Sequence, residues 1–281
     1  MNALDRLHVR SLVRAALRED VGSGDITTLL TVPEGRSAAG RFVARQDGVI
    51  AGLDVARAVF ASIDSGIGFD IIRGDGSRVG PGDAVAVVSG PARGILTGER
   101  VALNFLQRMS GIATLTARYV ERVAHTDARI ADTRKTTPGL RRLEKYAVTV
   151  GGGVNHRFGL SDGILIKDNH ISAAGSVTEA VTAAKRRAPH TLKIEVEVTD
   201  LDELDEAIAA GADAVLLDNM EIETIRRAVE AAAGRVILEA SGGVNVDTVA
   251  AIAETGVDII SVGALTHSAH ALDISLEFGP G

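Results

Sequence analysis

The chain has 281 residues, 46% of them hydrophobic, which predicts one large domain or two unequal ones. The formal net charge of -7 argues against a general nucleic-acid binder, and the absence of cysteine excludes disulfides, thiolate nucleophiles and cysteine-based metal sites. Because the charged N-terminus lacks the apolar run of a signal peptide and no apolar segment approaches the roughly 20 residues that cross a bilayer, we expect a cytoplasmic protein without membrane association.

The first part of the chain, residues 1–111, predicts an α+β domain. Apolar residues recur at helical spacing over 4–17, and a second helix is predicted over 53–63. A long helical pattern follows over 96–123, in which Ser110-Gly111 is a potential break, and we place the domain boundary there. Short β-type runs lie between these helices, at 41–44, 48–51 and 84–88.

The second part, residues 112–269, alternates short apolar runs with helical stretches. Successive βα units predict parallel strands, and about six of them favour a partly open (β/α) barrel. An open doubly wound sheet is the alternative architecture. We expect the tail, 270–281, to pack back on the first domain. The apolar runs are 129–132, 163–167, 193–198, 214–218, 236–241 and 259–263, and the clearest helical stretches are 201–210, 222–233 and 246–254.

Polar residues gather where the predicted strands end, which is where parallel barrels carry their active sites. Cations come first along the chain, carboxylates next and glycines last. In an acidic chain such a cation set predicts a pocket for a small polyanion, because arginine forks match carboxylates and phosphates. The set comprises Arg134, Lys135, His156, Arg157 and Lys167, followed by Glu197, Asp218, Ser241, Gly242, Gly243 and Gly263.

The glycines and carboxylates each allow two interpretations. Glycines after the last two strands either bind a phosphate through backbone N–H groups or merely make tight turns. Glu197 and Asp218, on adjacent strands, either hold Mg²⁺ or form an ion-paired rim. Glu195 points to the same face as Glu197, which we expect nearer the mouth.

The remaining basic residues predict structural roles. We expect Arg141, Arg142 and Lys145 to form a solvated helix face or a subunit contact, and His170 to cap or pack the turn after its strand. His267 and His270 allow either a phosphate-binding or a structural role.

The chain resembles, over nearly its whole length, the decarboxylating quinolinate phosphoribosyltransferases of NAD synthesis, a family of type II phosphoribosyltransferases. The resemblance implies an N-terminal α/β domain, a partly open barrel and a homodimer in which the partner caps each site. Quinolinate and 5-phosphoribosyl 1-diphosphate would be the substrates, with Mg²⁺ as cofactor. The motifs that carry it are 19–27, 106–114, 132–139, 151–157, 165–170, 217–220, 239–243 and 263–268.

The resemblance also implies a role for each candidate residue. Lys135 would contact the phosphoribosyl donor, and Glu197 and Asp218 would serve its ribose and Mg²⁺; these three are the expected catalytic residues. Ser241, Gly242, Gly243 and Gly263 would hold the 5-phosphate. The quinolinate pocket would consist of Arg134, His156, Arg157, Lys167 and the partner subunit's Arg100.

Three alternatives stay open from the sequence. The nearest is a phosphoribosyltransferase or pyrophosphorylase of the same fold with another acceptor, such as the molybdenum-associated relatives. A nicotinate-specific enzyme fits less well, since one carboxylate needs fewer cations. A catalytically silent sensor of phosphorylated ligands would not need the full set of cations and carboxylates.

Overall fold

A computed structural model describes residues 4–279, which form two compact units. Unit 1 contains the described residues up to Ala117, together with Thr137–Gly152 and the described residues from Ser268 onward. Unit 2 contains Arg118–Thr136 and Gly153–His267. The candidate site residues other than Arg100 therefore lie in a single unit.

The strands of residues 4–279 are β1 (Ser37–Ala44), β2 (Gly48–Val49), β3 (Gly68–Ile71), β4 (Arg78–Val79), β5 (Ala84–Pro91), β6 (Arg129–Ala131), β7 (Ile164–Ile166), β8 (Ile194–Val198), β9 (Ala214–Asp218), β10 (Ile237–Ser241), β11 (Ile259–Ser261) and β12 (Ile274–Gly279). The helices of the same residues are α1 (Arg6–Val21), α2 (Ile26–Thr31), α3 (Leu53–Ile63), α4 (Ala92–Val123), α5 (Arg141–Val150), α6 (Asp168–Ala174), α7 (Val177–Arg187), α8 (Leu201–Ala210), α9 (Ile222–Ala232), α10 (Val249–Ala253) and α11 (Ala264–His267). None of these helices is long and apolar enough to span a membrane.

Unit 1 is built on an antiparallel sheet with the strand order β12-β1-β5-β3, beside a small β2-β4 pair. Its core includes Phe42, Phe60 and Phe69, whose ring centroids lie 5.6 to 6.1 Å apart. Aromatic pairs at this distance add to the stabilisation that burial of their area provides. β12, from the end of the chain, pairs with β1 and completes the sheet.

The long helix α4 continues through Ser110 and Gly111, so the prediction of a potential break at this dipeptide was wrong. The helix packs too closely for a side chain at Gly111, because a Cβ atom there would lie 2.0 Å from the carbonyl oxygen of His270. Ser110 Oγ accepts a hydrogen bond of 3.0 Å from the backbone N–H of Ala51. Glycine therefore allows close packing here rather than a bend.

Helix α5 buries charged side chains that the sequence did not predict to be buried. Lys145 is only 2% exposed, so the predicted solvated face is wrong at this position. The neighbouring Glu144, 1% exposed, accepts hydrogen bonds from Arg108 Nη2 (2.8 Å) and from the N–H of Thr137 (2.9 Å). Burial of Lys and Glu depends on charged partners, which helical periodicity does not reveal.

Within the described residues, unit 2 contains a six-stranded parallel sheet with the order β6-β11-β10-β9-β8-β7. Helices alternate with its strands, and β9 is buried from Ala214 through Leu217, as expected for a strand covered on both faces. The predicted fold class, an N-terminal α+β part followed by a partly open α/β barrel, is confirmed.

A single bridge extends this sheet beyond β6. Val154 pairs in parallel with Ala131: its N–H donates to the carbonyl of Ile130 (2.8 Å), and its carbonyl accepts from Asp132 N–H (3.2 Å). Residues 155–157 therefore follow Val154 in the way that the candidate residues elsewhere in unit 2 follow a strand. A single paired residue produces no alternating pattern in the sequence, so the pairing of Val154 with Ala131 was not predicted.

Candidate active site

The candidate residues of unit 2 line up at the carboxyl ends of its strands. Cations lie at both edges of the sheet, while glycines and carboxylates lie between them. In spatial order, Arg134 and Lys135 follow β6, Gly263 follows β11, Ser241 ends β10 before Gly242 and Gly243, Asp218 ends β9, Glu197 lies in β8 and Lys167 follows β7.

Lys167 and Glu197 form an ion pair across the β7–β8 edge. The lysine side chain is 41% exposed and the glutamate side chain 15% exposed, so the pair lies at a boundary with solvent. His170 Nδ1 accepts a hydrogen bond of 3.0 Å from the N–H of Lys167, the N-cap residue of helix α6. The predicted capping role of His170 is therefore confirmed, and it fixes the backbone of Lys167.

The turn after β9 fits into the turn after β10. Asn219 adopts a positive φ of 54°; its N–H donates to the carbonyl of Ser241 (2.8 Å) and its Nδ2 donates to Asp218 (3.0 Å). A Cβ atom on Gly242, whose φ is 97°, would lie 2.2 Å from Asn219 Oδ1. Only glycine therefore allows both turns to approach in this way.

Lys135 lies against the turn that follows β11. A Cβ atom on Gly263 would lie 3.1 Å from Lys135 Cδ and 3.2 Å from His267 Nε2. Thr266 Oγ1 donates a hydrogen bond of 2.7 Å to the carbonyl of Lys135. The lysine stem and the glycine turn thus form one structure, with His267 beside it. His270, by contrast, belongs to unit 1.

Arg134 and Arg157 lie close enough to repel each other. Burial lowers the pKa of Arg157, repulsion by Arg134 lowers it further, and the charges of Glu195 and Asp162 oppose both effects. Arg157 Nη1 donates to the carbonyl of Gly163 (3.2 Å), while its Nε is buried without a hydrogen-bond partner in residues 4–279. A bound anion would relieve this repulsion.

His156 lies in a buried cluster that the sequence analysis did not identify. Its Nε2 is 3.0 Å from Glu195 Oε2 and 3.7 Å from Glu239 Oε1. Burial raises the pKa of Glu239 to about 7, and the nearby charge of Glu195 raises it as well. Side chains alternate along a strand, and Glu239 lies two residues before Ser241 in β10. This spacing was the signal that could have placed Glu239 on the face of the site.

Arg100 is exposed on α4 in unit 1, whereas the other predicted acceptor-binding residues belong to unit 2. Its participation from a partner subunit stays a prediction.

Comparisons with known proteins identify the family. A family model described as the C-terminal domain of quinolinate phosphoribosyl transferase matches residues 112–277, and the corresponding N-terminal domain matches 25–110. The chain belongs to the quinolinate phosphoribosyltransferase family. The family that the sequence motifs predicted is thus confirmed.

Individual relatives of this family match nearly the whole chain. A Mycobacterium leprae protein named nicotinate-nucleotide pyrophosphorylase [carboxylating] is 48% identical, covering 95% of this chain and 96% of its own length. A Bacillus subtilis protein named probable nicotinate-nucleotide pyrophosphorylase [carboxylating] is 44% identical, with coverage of 98% and 94%. The solved nicotinate-nucleotide pyrophosphorylase from Francisella tularensis matches with a TM-score of 0.95 at 44% identity, covering 99% of this chain and 98% of that chain.

Proposed function

We propose that the chain is a decarboxylating quinolinate phosphoribosyltransferase. It transfers the phosphoribosyl group of 5-phosphoribosyl 1-diphosphate to quinolinate and releases nicotinate mononucleotide, diphosphate and CO₂ in NAD biosynthesis. The family defines this reaction, and the observation that carries the choice of acceptor is the proximity of Arg134 and Arg157. A cytoplasmic location, predicted from the sequence, stays a prediction.

The acceptor pocket uses Arg134, Arg157 and Lys167. Quinolinate has two adjacent carboxylates that repel each other, and two guanidinium groups held together by the fold offset that repulsion. Lys167 forms an ion pair with Glu197, which holds its ammonium group beside the pocket. An acceptor with one carboxylate would leave part of the repulsion between Arg134 and Arg157 uncompensated.

The donor lies over the glycine turns. Backbone N–H groups after β10 and β11 bind its 5-phosphate, at Ser241, Gly242, Gly243 and Gly263. Lys135, whose stem lies against Gly263, is placed to offset negative charge on the departing diphosphate, which stabilises the transition state.

Mg²⁺ fits the carboxylates next to the donor. Glu197 and Asp218 lie on the neighbouring strands β8 and β9, and both offer the hard oxygen ligands that this ion prefers. They would hold it directly or through water, and the bound ion would neutralise charge on the diphosphate. Asn219 fixes the Asp218 carboxylate, and Lys167 fixes that of Glu197.

We place transfer before decarboxylation. The ring nitrogen of quinolinate bonds to the ribose carbon as the bond from that carbon to diphosphate breaks, and Glu197 or Asp218 stabilises the positive charge that develops there. The glycosylated nitrogen is then cationic. When the neighbouring carboxylate leaves as CO₂, this nitrogen stabilises the electron pair left on ring carbon 2, which takes up a proton.

We also propose a homodimer in which the partner subunit's Arg100 completes each acceptor pocket. Exposed apolar side chains on α1 and α2 support a subunit contact: Leu7, Ile26, Leu29 and Leu30.

Mixing Arg100→Ala subunits with Arg134→Ala subunits tests the shared site, because a mixed dimer would contain one intact site. Recovery of about one quarter of wild-type activity is expected for random pairing. No recovery in verified mixed dimers would rule out sharing.

Turnover with a panel of pyridine carboxylates tests the proposed activity. The purified protein, supplied with 5-phosphoribosyl 1-diphosphate and Mg²⁺, should use quinolinate and leave nicotinate essentially unchanged. Preference for another acceptor would indicate the paralogue alternative, and binding of the donor without any turnover would indicate a sensor.

A further inference from the structure

The cluster formed by His156, Glu195 and Glu239 lies inside unit 2, next to the acceptor pocket. The side chains of His156 and Glu195 are 13% and 14% exposed, and that of Glu239 is 3% exposed. Glu195 also acts electrostatically on Arg157, which links the cluster to the pocket by charge. The two are also linked through the chain, because His156 of the cluster directly precedes Arg157 of the pocket. Each ring nitrogen of His156 makes a hydrogen bond that constrains where its proton lies.

The hydrogen bonds of His156 indicate a neutral ring. Its Nδ1 lies 2.7 Å from the backbone nitrogen of Arg157, whose N–H donates to it. A ring nitrogen that accepts a hydrogen bond has no proton, so the single proton is on Nε2. Nε2–H then donates to Glu195 Oε2 at 3.0 Å. In this arrangement His156 is not one of the cations that face the acceptor.

The backbone on both sides of the ring is also fixed. The N–H of His156 donates to Asp132 Oδ1 at 2.9 Å, and Asp132 itself is fully buried. His156 is therefore held by the buried Asp132 through its backbone N–H and by the partly buried Glu195 through Nε2, while its Nδ1 holds the N–H of Arg157. Moving Glu195 would release the ring and, with it, the start of the segment that carries the Arg157 guanidinium.

Glu239 is the second carboxylate near Nε2. Its Oε1 lies 3.7 Å from Nε2, beyond hydrogen-bond distance, whereas Glu195 Oε2 lies at 3.0 Å. Burial and the nearby charge of Glu195 raise the pKa of Glu239 to about 7. Glu195 is therefore the carboxylate that orients His156.

We infer that Glu195 is a positioning residue for the acceptor pocket: it orients the neutral His156 ring, which in turn holds the backbone of Arg157. The inference rests on the proposed function and assigns His156 an indirect role in acceptor binding, in place of direct contact as a cation.

A metal ion is a less suitable occupant, although the three donor atoms lie within 4.8 Å of one another. Arg134 and Arg157 act on each other nearby, and a divalent cation would add positive charge beside them.

Paired substitutions at Glu195 test the positioning role. Glu195→Gln keeps an oxygen that accepts from His156 Nε2–H, so quinolinate affinity should stay at or above the wild-type level. Glu195→Ala removes the acceptor and should weaken quinolinate binding about tenfold, the loss typical of a broken buried hydrogen bond. Binding of 5-phosphoribosyl 1-diphosphate should be unchanged in both. Equal losses in Gln and Ala variants, or none in Ala, would overturn the inference.

The protonation of His156 gives a second test, in which the measurement is made on the wild-type protein and variants serve only to assign the resonances. The resonances of His156 are assigned in ¹⁵N-histidine-labelled protein as those that Glu195→Gln retains and His156→Asn lacks. In the wild-type protein at pH 7.5 they should show one proton, on Nε2, with and without quinolinate. A doubly protonated ring in either state would contradict the inference. If wild-type protein fails to turn over quinolinate, the proposed function fails instead, and the two failures are distinguishable.

Discussion

At the residue scale, the site depends on side chains that pack directly against glycines, in space that a larger residue at the glycine position would fill. Asn219 takes a positive φ and places its amide where a side chain on Gly242 would have to be, and the same amide fixes Asp218. Positive φ at a residue other than glycine costs energy and recurs at functional sites. The two residues are therefore adapted to each other.

Gly242→Ala should impair donor binding more than Gly243→Ala. Both positions have positive φ, 97° and 61°, but only the methyl group at 242 would meet Asn219, since nothing lies within 4 Å of a Cβ atom at 243. We expect the KM for 5-phosphoribosyl 1-diphosphate to rise at least about tenfold for Gly242→Ala, which corresponds to about 1.4 kcal/mol. Steady-state kinetics measures this, and equal effects of both substitutions would refute the role given to Asn219.

Arg134→Ala should weaken quinolinate binding far more than donor binding. In the proposed acceptor pocket the substitution would remove one of two guanidinium groups that bind the dianion, and a charged hydrogen bond contributes about 1.5–3 kcal/mol, or at least about tenfold in affinity. Calorimetric titration of each ligand measures the difference. Arg186→Ala, on the exposed face of α7, is the matched control and should bind both ligands normally. Equal losses for the two ligands would contradict the assignment.

At the element scale, how far the sequence predicts the structure depends on element length. Helix α3 and strand β9 match their predicted ranges, because a long apolar face and a continuous apolar run leave little ambiguity. Strands β3 and β4 are short and were not predicted. The order of polar residues at the strand ends was visible in the sequence, but the pairing of Glu195 with His156 depends on how strands lie side by side, which no local pattern encodes.

Gly111→Ala should destabilise the protein although alanine favours helices. The added methyl group would lie 2.0 Å from the carbonyl oxygen of His270, and overpacking of this kind costs about 1–3 kcal/mol. Chemical denaturation measures the change. Gly74→Ala is the control, since nothing lies within 4 Å of a Cβ atom there and its φ is not positive. A variant at 111 as stable as the control would show that α4 does not pack against the C-terminal segment.

At the scale of the whole molecule, the buried acid Glu239 links folding to pH. Its pKa rises from an ordinary 4.5 to about 7 in the folded chain, so between these values the folded state binds more protons than the unfolded state. The associated stabilisation is fully present below about pH 4.5 and is lost as pH rises through about 7. A shift of this size corresponds to about 3 kcal/mol.

Glu239→Gln should therefore remove part of the pH dependence of stability. Relative to this variant, the free energy of unfolding of the wild type should fall by up to about 3 kcal/mol between pH 4.5 and pH 8.5. Urea denaturation across that range measures it. A constant difference between the two proteins would show that Glu239 has no raised pKa in the fold.

The stoichiometry of CO₂ release tests the central claim most directly. With quinolinate labelled in the carboxyl group at ring carbon 2, together with 5-phosphoribosyl 1-diphosphate and Mg²⁺, the protein should release CO₂, diphosphate and nicotinate mononucleotide in equal amounts. Without the donor it should release no CO₂, since only the glycosylated nitrogen stabilises the departing electron pair. Free nicotinate and CO₂ formed in the absence of donor, or mononucleotide formed without CO₂, would contradict the account.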